Sequence, residues 1–213
     1  MYLRESVEKY LNDSAADIPA PGGGSVSALV GALASAMALM SINFTAGKEG
    51  FGENTARLKE LLNECKKSKE VLASLIQEDV NVFNEVDKAL RMPNFSDSEK
   101  KLRSESIRRA TIFAMIVPLK TAMASLYVLR LTHELADIAN PSLISEVCVA
   151  AILADAAFKS GKVNVDINLS HIKNREIVQK VQNEMHRADK KAKEYYDDIY
   201  SVVQKKLYKG KNP

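Results

Sequence analysis

Residues 18 to 47 carry no charge, in a chain where 27% of residues are Asp, Glu, Lys or Arg. Cysteine is scarce too. Cys65 and Cys148 lie far apart inside helical patterns, which excludes a disulfide framework. They read as buried thiols in a reducing compartment, so a cytoplasmic location is expected. The three histidines, His133, His171 and His186, have no metal-ligand spacing with one another or with the cysteines, and no metal site is expected. The net charge is only +3, and the basic residues are spread out, without aromatic interleaving beyond Tyr195, Tyr196 and Tyr200. That balance permits an anionic ligand but gives no ground for nucleic acid. Strand-like alternation is nearly missing as well, which excludes a parallel sheet.

The uncharged stretch opens with Pro19-Ala20-Pro21-Gly22-Gly23-Gly24-Ser25 and continues as a small and apolar run to Ala46. Its length, about 20 residues, matches a bilayer span. Its content of Ala, Ser and Gly, and the acidic Asp13 and Asp17 on its N-terminal side, argue instead for a helix buried inside a protein, with no membrane partner. It also starts too late to be a signal peptide.

Nearly every other segment has helical period. Leu3, Val7 and Leu11 mark a short first helix ending near Asn12-Asp13-Ser14. Ser25 is the expected N-cap of the small-residue helix, where Ala28, Ala32 and Ala36, with Gly31 and Ser35, form faces that a neighbouring backbone can approach closely. Gly47, Gly50 and Gly52 close it. A long helix is expected from about Asn54 to Leu90, with an apolar stripe that includes Phe83 and contains one acid, Asp79. Pro93 ends it, and Ser96 to Glu99 start a pattern over 97 to 138 that Pro118 should kink. Asn140-Pro141-Ser142 begins another helix, buried from Val147 to Phe158 and ending at Ser160-Gly161. Residues 163 to 169 then alternate like a short strand, although Asn164 and Asn168 would also share one face of a helix.

Val178, Val181, Met185, Ala188, Ala192, Tyr195, Ile199 and Val202 make a heptad seam, to be filled by the chain's own bundle or by a second subunit. The basic tail after Lys205 is expected to fray. The fold class that results is all-α: one domain over residues 1 to 213, a bundle of long antiparallel helices around a buried small-residue helix.

Four features can carry chemistry. The Gly22-Gly23-Gly24-Ser25 loop offers backbone N–H groups and a hydroxyl at a helix N-terminus, suited to a carboxylate, or it is a tight turn that permits close packing. It is neither a P-loop nor a dinucleotide loop, since the Lys-Ser/Thr ending and the preceding strand are both missing. Asp79, on an apolar face, is either a proton-transfer group with a raised pKa or a structural acid paired with Arg108 or Arg109. Pro118 with its neighbour Lys120 marks a kink that opens a polar pocket, or a simple bend. Asn164 and Asn168 offer amide donors and acceptors that can read a flat heterocycle or an amide, or they serve turn chemistry. No Ser-His-Asp set is evident, and His133-Glu134 lacks the second histidine of a zincin.

Taken in order, these blocks resemble the cyclodeaminase/cyclohydrolase family: the cyclodeaminase domain of formiminotransferase-cyclodeaminase and its free-standing bacterial relatives. The resemblance rests on the Pro/Gly loop before an Ala-rich helix, on Glu78-Asp79-Val80-Asn81-Val82-Phe83, on Val117-Pro118-Leu119, on Asn140, and on the block from Val163 to Leu169. It covers most of the chain. The chain departs from the family pattern at Ser145-Glu146, where the family has Ser-Asp, and at Ala139-Asn140, where it has Gly-Asn.

The resemblance implies an all-α homodimer with a folate site between subunits and Asp79 as catalytic acid/base. The implied reaction is closure of 5-formiminotetrahydrofolate to 5,10-methenyltetrahydrofolate with loss of ammonia, without metal or redox cofactor. Hydrolysis of 5,10-methenyltetrahydrofolate to 10-formyltetrahydrofolate is the alternative within the family. A non-enzymatic helical protein that binds a folate or another anion is the alternative outside it. Gly22, Gly23, Gly24 and Ser25 would line the folate site, with Pro118 and Lys120 beside it and Asn164 and Asn168 on the pterin or an amide. Lys48 would meet a folate carboxylate, polyglutamylated or not, or would act only as a cation at a helix C-terminus.

Overall fold

In the computed structural model, which describes residues 1–208, the helix starts follow local capping chemistry. Six α-helices are present among the described residues: α1 (Val7–Ala15), α2 (Gly23–Thr45), α3 (Thr55–Leu90), α4 (Asp97–Ile138), α5 (Ile144–Leu169) and α6 (Arg175–Tyr208). Ser6 caps α1 by accepting from the Lys9 N–H. Ser96 and Glu99 form a reciprocal capping box at α4. Asn140 accepts from the Ser142 N–H at the 3₁₀ turn Pro141–Leu143 that leads into α5. Gly47 and Gly50 take φ of 76° and 86° just after α2, a conformation that favours glycine.

The long patterns emerge as expected, and four details differ. Gly22, not Ser25, is the N-cap of α2, and Ser25 is a fully buried residue of the first turn. Helix α4 runs unbroken from Asp97 to Ile138 with the buried Pro118 inside it. Helix α5 does not stop at Gly161, and residues 163 to 169 are its last turns rather than a strand. Gly161 is a crossing point: a Cβ there would lie 3.1 Å from the Ala122 nitrogen, so glycine lets α5 press against the α4 backbone. The fourth difference is at the C-terminus. Helix α6 persists through Tyr208, and Lys206 Nζ donates to the Ala136 and Asp137 carbonyls at the end of α4, at 2.6 and 3.0 Å. The rest of the basic tail, residues 209–213, lies outside the described residues.

Helix α2 packs against α3, α4 and α5, while α6 lies across α4 and α5. Ala28, Gly31, Ala34, Ser35, Ala38 and Ile42 of α2 are buried, and a Cβ on Gly31 would sit 2.9 Å from both Leu72 Cδ2 and Ser125 Oγ. The small residues therefore set the spacing of three helices at once. Leu58, Leu61, Leu72 and Leu75 of α3 fill the space beside them. Each such fully buried side chain contributes about 1.5–3 kcal/mol relative to exposure.

The α6 seam is filled from within the chain, with Val181, Met185, Ala188, Ala192 and Ile199 buried. Helix α2 is not buried all round, however. Val26, Leu33, Met40 and Phe44 remain exposed along one side. Leu3, Val7 and Leu11 are exposed too, and Tyr10 is the residue by which α1 joins the core. By length and composition α2, α4 and the Pro141–Leu169 stretch are each apolar enough to cross a membrane. Half or more of the most apolar window of each is covered inside the bundle.

Candidate active site

Four helices meet at the N-terminus of α2 around a cavity of about 270 Å³. Its polar wall comes from Gly22, Gly23 and Gly24 at the start of α2, from Asp79 on α3, and from Asn164 and Asn168 on α5. Val82, Phe83 and Val86 of α3 supply an apolar side. Phe83 is 42% exposed, so it forms a pocket wall rather than part of the core stripe. Helical spacing explains the set: Val82, Phe83 and Val86 follow Asp79 at three, four and seven residues, and Asn168 follows Asn164 at four.

The acid on the α3 stripe is half-buried in the wall of the cavity. Burial pushes the Asp79 carboxyl up to about 6, while a hydrogen bond from the Ser25 backbone N–H draws it partly back. Arg108 and Arg109, the candidate partners in a structural ion pair, line other cavities instead. Asp79 is thus a carboxyl without a charged neighbour among the described residues, titrating near neutrality in a cleft, which is the condition for a general acid and base.

Glycine is required beside it. A Cβ on Gly24 would lie 2.7 Å from Asp79 Cγ and 2.9 Å from Oδ2, closer than side chains pack. Gly22 brings no capping side chain, so the first-turn N–H groups of Gly23 and Gly24 have no capping partner. At Gly23 the added Cβ would meet Asn164 Nδ2 at an ordinary 3.5 Å.

The asparagines are oriented by their own helix. Asn164 Nδ2 donates to the Ser160 carbonyl and Asn168 Nδ2 to the Asn164 carbonyl, both at 2.8 Å. Their amide oxygens are left as acceptors for a ligand. On α4, Ala114 completes the wall. It stands four residues before Pro118, which has no N–H, so the Ala114 carbonyl lacks its ordinary helical donor. The pocket therefore combines N–H donors from α2 with acceptors from α3, α4 and α5, an arrangement suited to a flat heterocycle bearing both.

The remaining sequence candidates are placed elsewhere. The Ser25 hydroxyl turns away from the cavity and donates to the Ile76 carbonyl at 2.9 Å. Since that is its one hydrogen, Tyr10 Oη, also 2.9 Å away, donates to Ser25 Oγ. Ser25 serves Asp79 through its backbone. Lys120 pairs with Glu78 at 2.8 Å on the surface, and Pro118 acts on the pocket through Ala114. Lys48 follows the far end of α2, about 35 Å from Gly23 by helical rise. Asn140 is at that end too, donating its N–H to Thr45 Oγ1 at 3.0 Å, and Glu146, which accepts from Ser145 Oγ, lies in the first turn of α5.

Tyr10 and Ala114 were not legible as site residues: the first was hidden by the apolar Leu3/Val7/Leu11 spacing, and the second has no distinctive side chain. The proline four residues later was the available signal. No group of three or more His, Cys, Asp or Glu side chains that could hold a metal ion is found among the described residues.

Known proteins share this arrangement of helices. Residues 6–187 match the formiminotransferase-cyclodeaminase family. A methenyltetrahydrofolate cyclohydrolase from Methylorubrum extorquens is 30% identical over 203 residues, covering 95% of this chain and 98% of that protein. The formimidoyltransferase-cyclodeaminase of Mus musculus is 30% identical over 167 residues, which are 78% of this chain but only 31% of that longer protein. The crystal structure of a formiminotetrahydrofolate cyclodeaminase from Thermotoga maritima superposes with a TM-score of 0.88 at 26% identity, covering 97% of this chain and all of that one.

Proposed function

The chain belongs to the formiminotransferase-cyclodeaminase family, and from that premise we propose that it is a folate one-carbon enzyme closing 5-formiminotetrahydrofolate to 5,10-methenyltetrahydrofolate with release of ammonia. The observation that carries this reading is the Asp79 carboxyl, pushed up to about 6 and, among the described residues, free of charged neighbours in the pocket at the start of α2. In the reaction N10 attacks the formimino carbon carried on N5, a tetrahedral centre forms, and ammonia leaves. Ionised Asp79 takes the proton from N10, and the resulting acid protonates the departing nitrogen. Both reacting groups belong to one molecule, so a pocket that holds N10 against the carbon supplies much of the rate. Proton transfer suffices, and the reading calls for no metal or redox cofactor.

Hydrolysis of 5,10-methenyltetrahydrofolate to 10-formyltetrahydrofolate is the second reading. It is favoured by the Methylorubrum extorquens cyclohydrolase, a protein that the chain matches over nearly its whole length. Water then replaces ammonia, and the same carboxyl serves. Ammonia release from 5-formiminotetrahydrofolate, assayed beside loss of the methenyl chromophore, separates the two. Binding without turnover of either compound would leave only a folate-binding protein.

We further infer a homodimer with the site between subunits, in the cytoplasm as the unpaired Cys65 and Cys148 suggest. The exposed stripe Val26, Leu33, Met40 and Phe44 runs along α2 from the pocket end toward the end that carries Thr45, Lys48 and Asn140. Two copies pairing these stripes antiparallel would bury them. They would also set the Lys48 end of one copy beside the Asp79 pocket of the other. Sedimentation equilibrium tests this: a dimer is expected, and a fully active monomer would refute it.

A further inference from the structure

Arg108 and Lys173 face a second cavity, of about 440 Å³, whose wall contains no carboxylate among the described residues. Lys100 and Arg103 also line it, but each is already engaged: Lys100 with Asp97 at 3.1 Å, and Arg103 with the Leu90 carbonyl at 3.0 Å. Arg108 and Lys173 make no ion pair among the described residues, so the groove holds two uncommitted cations. Ile107, Ile112, Ile172 and Ile177 give the groove an apolar lining.

This groove neighbours the Asp79 pocket along the chain, since Thr111 and Ala114, and Asn168 and His171, are three residues apart. On α4, Arg108, Thr111 and Ala114 follow at three-residue steps; the first two line the groove and the third lines the pocket. On the other side Asn164 and Asn168 of α5 line the pocket, and His171 and Ile172, just beyond the helix, line the groove. Arg108 and Ala114 are about 9 Å apart along the α4 axis by helical rise. Counted along the chain from the pocket, α4 presents Ala114, then Ile112 and Thr111, then Arg108, and the chain at the end of α5 presents Asn168, then His171 and Ile172, then Lys173: amide and backbone groups, then an isoleucine on each side, then a cation on each side.

A folate presents the same order: a pterin with the reacting N5 and N10, an aryl ring, and a glutamate bearing two carboxylates. We propose that the groove is the subsite for the benzoylglutamate end of the substrate, with the ring on the isoleucine lining and the carboxylates on Arg108 and Lys173. The assignment rests on the folate reading of the Asp79 pocket. Arg108 supplies the forked donor that matches a carboxylate, and Lys173 a point charge. Further γ-linked glutamates would extend past them toward Lys100.

Calorimetric titration with 5-formyltetrahydrofolate, and with its tetrahydropteroate analogue lacking the glutamate, tests the groove without requiring turnover. The wild-type protein is expected to bind the glutamate form roughly ten- to a hundredfold more tightly, the scale of hydrogen bonds to charged groups. Arg108→Ala/Lys173→Ala should lose that preference and bind the pteroate form as the wild type does. Arg108→Lys should retain part of the preference, and added salt should narrow it. Equal wild-type binding of both compounds would overturn the proposal, as would a double variant weakened equally toward both. Tail preference without turnover of either one-carbon substrate would keep the groove and remove the proposed reaction. Turnover without tail preference would remove the groove alone, and binding of neither compound would remove both.

Discussion

Gly24 on α2 and Asp79 on α3 stand so close that the smallest side chain at position 24 would collide with the carboxyl, 2.7 Å from its Cγ. The contact belongs to the backbone of α2, whose next residue donates the N–H that the carboxyl accepts. Gly24→Ala is therefore expected to displace Asp79 and to lower turnover by about a hundredfold, the usual scale for a general acid–base group. It should also destabilise the fold by about 1–3 kcal/mol through overpacking. Gly23→Ala, which meets Asn164 at ordinary distance, should change stability by less than about 1 kcal/mol. Urea unfolding and kcat for the two variants check this. Equal behaviour at both positions would mean that the Gly24–Asp79 contact is unimportant.

Asp79→Asn should fold and lose about a hundredfold or more in kcat. Near-normal turnover would make Asp79 structural. In the wild type, kcat/KM should fall about tenfold per pH unit below pH 6, as the base becomes protonated.

The same carboxyl makes a prediction about stability. Its ordinary value of 3.8 is raised to about 6 by burial, so the folded state favours the protonated form. The stabilisation from that form is complete below about pH 4 and is lost as pH rises through 6. Asn keeps a neutral side chain at every pH. Asp79→Asn should thus be more stable than wild type at pH 7.5, by up to about 3 kcal/mol, with the difference shrinking toward pH 4. Denaturant unfolding at the two pH values measures it, and a difference independent of pH would exclude the raised pKa.

Behind the carboxyl, Tyr10 donates to Ser25 Oγ, and Ser25 donates to the Ile76 carbonyl. Both side chains are buried. Ser25→Ala leaves the Tyr10 hydroxyl without its partner and should cost about 1–3 kcal/mol; Tyr10→Phe should cost about 1 kcal/mol. The double variant should lose less than the sum, since neither orphaned group remains. Additivity in urea unfolding would show that the two hydroxyls are not coupled.

Much of the helical order was written locally. The boundaries of α3 and α4 follow from an apolar stripe and a capping box, interactions within one or two turns of the chain. The break expected at Gly161 and the strand expected at 163 to 169 had equally local signals, and both were overridden. There the absence of a Cβ serves a contact with Ala122 on another helix, and the alternation is carried by the last turns of α5. Asp79, Gly22, Gly23, Gly24, Asn164 and Asn168 were named from residue type and spacing, and the fold gathers all of them in one cavity. Lys48 is marked out by its charge near a helix end and Lys120 by its place beside Pro118, and neither property carries an address in the fold; Lys120 pairs with Glu78.

By itself, then, the sequence determined that the chain is helical, where its long helices begin, and which side chains are chemically suited to a site. Periodicity and capping are short-range, and a carboxyl or an amide is recognisable wherever it falls. Tertiary structure decided that the Asp79 carboxyl is desolvated, that Gly24 must lack a side chain, that the Ser25 hydroxyl faces Tyr10, and that Arg108 and Lys173 line one groove. Each of these depends on which helix faces which, and that is settled by packing between residues distant in the chain.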